Sequence, residues 1–348
     1  MAYSTISKPS LHFNTKLYTG NGNTQSITGV GFQPDLTWIK NRTNSSTEHY
    51  LYDAVRGAGK SVRSSSDIAE ATETNQLTAF DSDGFSIGNW GDGNTNSSNI
   101  VSWNWKANGA GSADTNGTIN STVSVNTTAG FSIVSWTGTG SAGTIGHGLG
   151  VKPAMIISKN RDEAQNWFCY HTGLGATKYI RLNLTNEFGT SSAIWNDTEP
   201  TTSLFSVGND TAVNGSGDAM IAYCFAEKTG YSKIGSYKGN GNTNGTFIYT
   251  GFKPAFVIIK NSSTGSYSWT VNDTARTPSN VMDKWLYPNS TTAEATGSSY
   301  NMDLLSNGFK SRNTGSNTND ANNQYIYIAI AEEPLVANVG ASIPATAR

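Results

Sequence analysis

One eleven-residue pattern occurs three times in this chain, and it constrains the possible fold more than any other feature. It reads GFQPDLTWIKN at residues 31–41, GVKPAMIISKN at 150–160 and GFKPAFVIIKN at 251–261. Glycine, proline, a mainly apolar run, lysine and asparagine keep the same spacing in each copy. The shared spacing indicates an internal repeat.

Other landmarks recur around this pattern in the same order. A glycine-rich stretch precedes each copy, as LYTGNGNTQ from Leu17, SWTGTGSAG from Ser135 and SYKGNGNTN from Ser236. A closing apolar run follows, as SNIVSWNWKANG from Ser98, DAMIAYCFAEKTG from Asp218 and QYIYIAIAEEP from Gln324. A period of roughly 100 residues exceeds that of solenoids, so we expect each repeat to be a complete domain with its own core.

These landmarks divide the chain into three units. We predict a first repeat with an N-terminal arm at 1–111, a linker at 112–129, a second repeat at 130–232, and a third repeat with a C-terminal tail at 233–348. The proposed linker consists almost entirely of small and polar residues. The expected arrangement is three independent beads on a string.

The composition indicates an all-β protein. The chain has 37 glycines and only 14% charged residues, and its apolar runs are short and rich in β-branched and aromatic residues. We therefore predict antiparallel β-sandwiches. The residues expected in their cores, at alternating strand positions, are Trp38, Ile156, Ile157, Phe256, Ile258, Ile326 and Ile328.

The two GNGNT stretches, at Gly20 and Gly239, resemble the glycine-rich turns of β-hairpins. A phosphate-binding loop is the alternative. It is disfavoured because no GxxxxGK[ST] pattern and no helical pattern follow. We predict hairpin turns.

The sequence shows no clear catalytic or metal-binding motif. His12, His49, His147 and His171 lie far apart and lack zinc-ligand spacing, and Cys169 and Cys224 are expected to be buried free thiols. Acidic pairs such as Asp81/Asp83 do not recur in every unit. We expect no enzyme activity, no cofactor and no metal, although an acid pair of a glycosidase remains an alternative.

One charged pair recurs in part. Asp53 and Arg56 stand at the same distance after their proline as Asp273 and Arg276 do, whereas the second unit has YHTGLG there, with His171 and Leu174. A catalytic pair would hardly be kept in only two units. We predict an ion pair that braces a loop and contributes little if it is exposed.

Partners are suggested mainly by aromatic residues and charge. Trp90 and Trp195 are flanked by glycine, asparagine and aspartate, so we predict exposed rings that stack on glycans. The net charge of −2 and the lack of a basic face argue against nucleic acid. No apolar run approaches the roughly 18 residues that span a bilayer, and MAYSTISKPS lacks the pattern of a signal peptide, so we expect neither membrane insertion nor Sec export.

The opening MAYSTISKPSLHFNTKLYTGNGNTQSITGVGFQPDLTWIKNR, followed by HYLYDAVRGAGK, resembles virion structural proteins of marine tailed bacteriophages. The resemblance continues through DSDGFSIG, VSWNWKANG and the final YIYIAIAEEP. It implies jelly-roll or lectin-like sandwiches and a place on the exterior of the virion, and it implies no catalytic residues.

Three functions follow as hypotheses. The first is a tail appendage or fibre protein that contributes to host attachment, with other virion proteins, a host-surface glycan and further copies of itself as partners. The second is a capsid-decorating protein that stabilises the shell. The third, ranked last, is a polysaccharide depolymerase.

Overall fold

Each repeat folds into two layers of antiparallel β-sheet, which confirms the all-β, β-sandwich prediction. The structure is a computed structural model that describes residues 4–334. The first residues of the predicted N-terminal arm and most of the predicted C-terminal tail lie outside the described residues.

The first unit begins with a 3-10 turn at Pro9–Leu11, and its elements are β1 Phe13–Thr19, β2 Gln25–Thr28, β3 Leu36–Asn41, β4 His49–Asp53, β5 Lys60–Arg63, β6 Ala71–Thr72, β7 Leu77–Asp81, β8 Gly84–Ile87, α1 Gly91–Asn94 and β9 Asn99–Trp105. The second unit contains β10 Ser112–Asp114, β11 Ser121–Asn126, β12 Phe131–Thr137, β13 Gly143–Gly146, β14 Met155–Asn160, β15 Phe168–His171, β16 Lys178–Arg181, β17 Gly189–Thr190, α2 Ser192–Trp195, β18 Leu204–Val207, α3 Thr211–Asn214 and β19 Ala219–Phe225. The third unit contains β20 Ser232–Lys238, β21 Phe247–Tyr249, β22 Phe252–Asn261, β23 Thr270–Asp273, β24 Lys284–Trp285, β25 Ala295–Thr296, β26 Met302–Leu305, β27 Gly308–Ser311 and β28 Gln324–Pro334.

The larger sheet of every unit, which we call the inner sheet, has the same central order. The closing strand lies between an early strand and the strand of the repeated pattern, as in β1-β9-β3, β12-β19-β14 and β20-β28-β22. A smaller outer sheet covers one face, formed by β2-β8-β7, β13-β18 and β21-β27-β26.

The repeated pattern occupies equivalent strands, as its spacing predicts. Within β3, Trp38 pairs with Trp103 on one side and Leu51 on the other. Ile157 in β14 pairs in the same way with Tyr223. Ile258 in β22 does so with Ile328 and Val271. The prediction that the three copies lie at one structural position is confirmed.

These strands are buried on both faces, which is why their apolar runs are nearly continuous. Successive strand residues point to opposite faces. Ile156 therefore packs against the outer sheet of its unit, whereas Ile157 points away from it. All seven residues predicted to be in cores are buried.

The second face of each inner sheet contributes to one core that all three units share. Trp38 and Trp103 of the first unit, Ile157 of the second, and Phe256 and Ile258 of the third belong to this common cluster, which we call the central core. Each unit also has a separate core between its two sheets. The expectation of independent beads is therefore wrong, because one face of each inner sheet is packed against the other units.

The segment 112–129 does not behave as the predicted linker. It contains β10 and β11, and β11 pairs with β12 over six residue pairs, from Ser121↔Trp136 to Asn126↔Phe131. Alternating Val123 and Val125 supply enough apolar character for a strand within a polar stretch. The segment extends the inner sheet of the second unit.

The GNGNT stretches are turns, but the prediction of hairpins is wrong. The strands on either side of Gly20, β1 and β2, belong to different sheets and pair with β9 and β8 respectively. The same holds for β20 and β21 around Gly239. The glycine-rich turn therefore carries the chain from the inner to the outer layer of the sandwich.

Candidate functional site

The lysine of the repeated pattern joins each unit to the next. Lys40, Lys159 and Lys260 have no exposed surface. The Nζ of Lys40 donates to the carbonyl of Thr291 in the third unit at 3.0 Å. The Nζ of Lys159 donates to the backbone carbonyl of Asp67 in the first unit at 3.0 Å. The three contacts close a ring, since Lys260 donates at 3.2 Å to Thr185 in the second unit.

Burial sets the acidity of these ammonium groups. It lowers the pKa of Lys40 and of Lys159 to about 8 and that of Lys260 to about 7, only partly opposed by nearby carboxylates. Carbonyl oxygens compensate the lost hydration by accepting the ammonium protons. The lysine is therefore a structural clamp between units.

The asparagine that follows the lysine acts within its own unit. The amide of Asn41 donates to the carbonyl of Asp92 at 3.0 Å, and its Oδ1 accepts from the backbone of the next loop. Asn160 and Asn261 make the same two kinds of bond. The repeated Lys-Asn pair therefore fixes one contact between units and one loop inside a unit.

A buried charge cluster joins the first unit to the second. Arg56 forms a 2.5 Å ion pair with Asp53, and neither side chain has exposed surface. Its Nη1 also donates to Glu70 at 3.0 Å, and Glu70 accepts from Arg161 of the second unit at 2.8 Å. The hydroxyl of Tyr223, also in the second unit, donates to Asp53 at 2.8 Å. The charges form one continuous network across the interface.

The interface between the third unit and the first repeats this cluster. Arg276 pairs with Asp273 at 2.5 Å and with Glu294 at 3.1 Å. Glu294 then accepts from Arg42 of the first unit at 2.8 Å. The indole of Trp103 donates to Asp273 at 3.0 Å, so the same carboxylate is bonded from the neighbouring unit.

At the remaining interface all four charged positions have changed together. His171 and Leu174 replace the aspartate and the first arginine. The backbone N–H of Phe188 donates to the carbonyl of Ser262 at 3.0 Å. In the other two interfaces the backbone N–H of each glutamate donates to the carbonyl of its partner arginine in the same way. Phe188 and Ser262 thus stand for the glutamate and the second arginine, and the cluster is present or absent as a whole. The loop-bracing prediction is correct in part, but the pairs are buried and also connect units.

Trp90 and Trp195, predicted as exposed stacking rings, are buried, with 5% and 2% of their surface exposed. Trp90 packs edge-on against Tyr50 at 4.7 Å between ring centroids. Trp195 packs against Tyr170 at 6.3 Å. Neither ring has a free face for a sugar, so the site prediction is wrong for both residues.

Some asparagines of the polar, glycine-rich segments are themselves part of the interior. Asn94 and Asn214, each at the end of a one-turn helix, are fully buried. Asn214 donates to the carbonyls of Ser141 at 2.6 Å and Gly208 at 3.0 Å, and accepts from the backbone of Thr139. Such asparagines hold the glycine-rich turn, and the buried Asn94 accounts for part of the polar sequence context around the buried Trp90.

The sulfur and imidazole groups are also structural. Both cysteines are buried free thiols, as predicted, and burial raises the pKa of Cys224 to about 12. Burial lowers the pKa of His171 to about 4. Among residues 4–334, no three His, Cys, Asp or Glu side chains are grouped as metal ligands would be.

A small void lies where the three inner sheets meet. Its lining is apolar and includes Trp38, Ile157 and Ile258. The volume of about 20 Å³ is enough for about one water molecule. The centre of the molecule is therefore a packed core and not a ligand pocket.

The chain belongs to a family described as a domain of unknown function, DUF7483, whose model matches residues 8–334. The match spans all three units. No curated protein matches the chain. No helix in the described part of the chain is long and apolar enough to cross a membrane.

Sequence reasoning missed the function of the repeated lysine and of Glu70 and Glu294. The sequence did contain a signal for the lysine: it follows the mainly apolar run in all three copies of the pattern, and a buried charge requires a polar partner. The sequence contains no such signal for the two glutamates, since they lie outside the repeated landmarks and contact residues that are distant in sequence.

Proposed function

We propose that this chain is a non-catalytic structural protein on the exterior of a tailed-bacteriophage particle, where it forms part of a tail appendage and contributes to host attachment. The observation that carries the proposal is the closure of three sandwich units around one central core. Lysine clamps at all three interfaces, and charge clusters at two, make the units one body. Such an all-β body, rich in non-local contacts, unfolds slowly, which suits a component exposed to dilution and proteases.

The positions of the charged residues support a non-catalytic role. Every member of the two charge clusters is engaged in bonds that link units or brace loops. Asp53 and Asp273 each bind an arginine and an aromatic donor from another unit. These carboxylates serve cohesion, so the depolymerase remains the least favoured function.

A capsid-decorating protein is the second candidate. The observation that favours it is the cyclic arrangement of three similar units in one chain, because such a body presents similar surfaces three times around its centre. Local threefold positions on an icosahedral shell would suit that shape. In both candidates the partners are other virion proteins and further copies of the chain.

The location of the protein in purified particles of the phage that encodes it tests the proposal. Quantitative mass spectrometry should find a few to a few dozen copies per particle, and antibody labelling should mark the tail. Hundreds of copies with label over the head would establish the decorating role instead. Absence of the chain from particles that are otherwise complete would refute both.

A further inference from the structure

The outer sheet of the third unit exposes two aromatic rings that the other units lack. Phe247 and Tyr249 are 43% and 54% exposed and occupy alternate positions of β21, so they share the outward face. Ile248 between them is buried in the core of the unit. Among the described strands β21 pairs with β27 alone, and it is therefore an edge strand.

The face continues across β27 and β26 as two rows of directly paired residues. One row contains Tyr249, Gly308 and Leu305. Since neighbouring strands lie about 4.8 Å apart, Tyr249 and Leu305 are separated by about 10 Å. Gly308 has no side chain between them, and the ring of Phe247 lies beside it, with its Cε2 3.0 Å from where a Cβ would stand. The two aromatic rings and Leu305 therefore form one continuous apolar surface.

The second row is polar and positively charged. Phe247 pairs with Lys310, and Lys310 with Asp303. Asp303 is bonded by the Nε of Arg312, whose side chain is 42% exposed. One carboxylate against two cations leaves this row with an excess of one positive charge, so the face is complementary to an anion.

Equivalent positions in the first unit show that the fold does not need these residues. The strands can be aligned through their central pair of residues, since Ile27 pairs with Phe85 in the first unit as Ile248 pairs with Phe309 in the third. In the second unit Ile145 pairs with Phe205 in the same register. The positions of Phe247, Tyr249 and Lys310 are accordingly held by Ser26, Thr28 and Ser86 in the first unit, and by Thr144, Gly146 and Ser206 in the second.

We propose that the outward face of β21, β27 and β26 binds an acidic glycan, with Tyr249 and Phe247 stacking on sugar rings and Lys310 and Arg312 binding a uronate carboxylate. An aromatic face is apolar with negative partial charge, which suits the C–H groups of a sugar ring. Guanidinium and ammonium groups supply charged hydrogen bonds to a carboxylate. This inference refines the attachment role proposed above by naming the surface and the ligand class.

Titration calorimetry of the full chain with a galacturonic acid hexamer tests the inference, with the methyl-esterified hexamer as the neutral counterpart. The variant F247S/Y249T carries the residues of the first unit and should bind at least about tenfold more weakly. K310S should weaken binding of the acidic hexamer and flatten its salt dependence. Leu11→Ser removes an exposed apolar side chain on the 3-10 turn before β1 and should bind like the wild type.

Several results would overturn the inference. They are equal affinity for the acidic and esterified hexamers, unchanged binding in F247S/Y249T at unchanged melting temperature, or no binding at millimolar sugar. Concentration-dependent self-association that F247S/Y249T abolishes would show that a second copy covers the face. Glycan binding is measured on purified protein and is therefore independent of the test on particles. If the protein is present in particles but binds no glycan, this inference alone is refuted. If it binds the glycan but is absent from particles, only the virion proposal is refuted.

Discussion

Replacing Glu70 by glutamine tests whether the charge clusters hold the units together. The carboxylate accepts three hydrogen bonds from two guanidinium groups, at 2.8 Å and 2.9 Å from Arg161 and at 3.0 Å from Arg56. Breaking a buried ion pair by removing one partner costs roughly 3–5 kcal/mol. The Glu70 and Arg161 side chains are 11% and 14% exposed, so we expect a loss of about 3 kcal/mol, at the lower end of that range.

Urea unfolding measures this loss as a change in the free energy of unfolding. Glu294→Gln should lose a similar amount, because Glu294 bonds Arg42 and Arg276 in the same way. Glu163→Gln, at an exposed position of the second unit, is the matched control and should change the free energy by less than about 0.5 kcal/mol. A loss below about 1 kcal/mol in both cluster variants would refute the assignment of the cluster as a joint between units.

The effect should also depend on pH. Burial opposes ionisation of Glu70, but hydrogen bonds from Arg161 and the charge of Arg56 outweigh it and hold the pKa of this carboxyl below its ordinary value of 4.5. A group whose pKa is lowered on folding stabilises the protein above the unfolded pKa and loses that contribution as pH falls through the folded pKa. The difference between wild type and E70Q should therefore be full at neutral pH and shrink below pH 4.5. A difference that stays constant down to pH 3 would contradict this account.

Three further perturbations probe the central core, the turn and the lysine clamp. Ile157→Asp should lower the free energy of unfolding in urea by at least about 4 kcal/mol, because it places a charge in the central core. The control Ile157→Val should cost about 1 kcal/mol. An unchanged urea midpoint for the aspartate variant would show that Ile157 does not lie in that core. Asn214→Ala should cost about 2–3 kcal/mol because it leaves the buried carbonyl of Gly208 unbonded and removes the bonds to Ser141 and Thr139. Ala at exposed Asn209 should be neutral, and equal effects would show that the amide does not hold the turn. Burial lowers the pKa of Lys260 from 10.5 to about 7, so the unfolded chain binds more protons between these values and stability should rise with pH there. The melting temperature of the wild type should therefore rise relative to Lys260→Met between pH 7 and pH 9. Parallel profiles would show that burial does not lower the pKa of this lysine.

The parts of the fold that could be predicted are those that depend on local periodicity in the sequence. The spacing of Pro34, Pro153 and Pro254 was sufficient to place three equivalent strands, because a repeated strand pattern must serve the same sheet position in each copy. The runs IIS and VII around Ile157 and Ile258 also indicated buried strands.

What could not be predicted depends on surfaces brought together from distant parts of the chain. A continuous apolar strand shows that both faces are covered, but not whether a second layer of the same unit or another unit covers them. Trp90 was misjudged for a related reason, since its polar neighbour Asn94 bonds backbone carbonyls of the interior and not solvent. The exposed pair Phe247 and Tyr249 resembles any other strand segment until its equivalents in the other units are aligned by pairing.

The shared central core has a consequence for biosynthesis. As the first unit leaves the ribosome, the inner face carrying Trp38, Trp103 and Trp105 is uncovered, and its cover is complete only when the third unit has been made. At 5–20 residues per second, synthesis from Trp105 to Pro334 takes on the order of 10–45 s. During that time the nascent chain displays an aromatic sheet surface of the kind that chaperones bind. Premature termination in the third unit would leave the surface uncovered for good, so truncated products should aggregate rather than accumulate as folded one-unit or two-unit fragments.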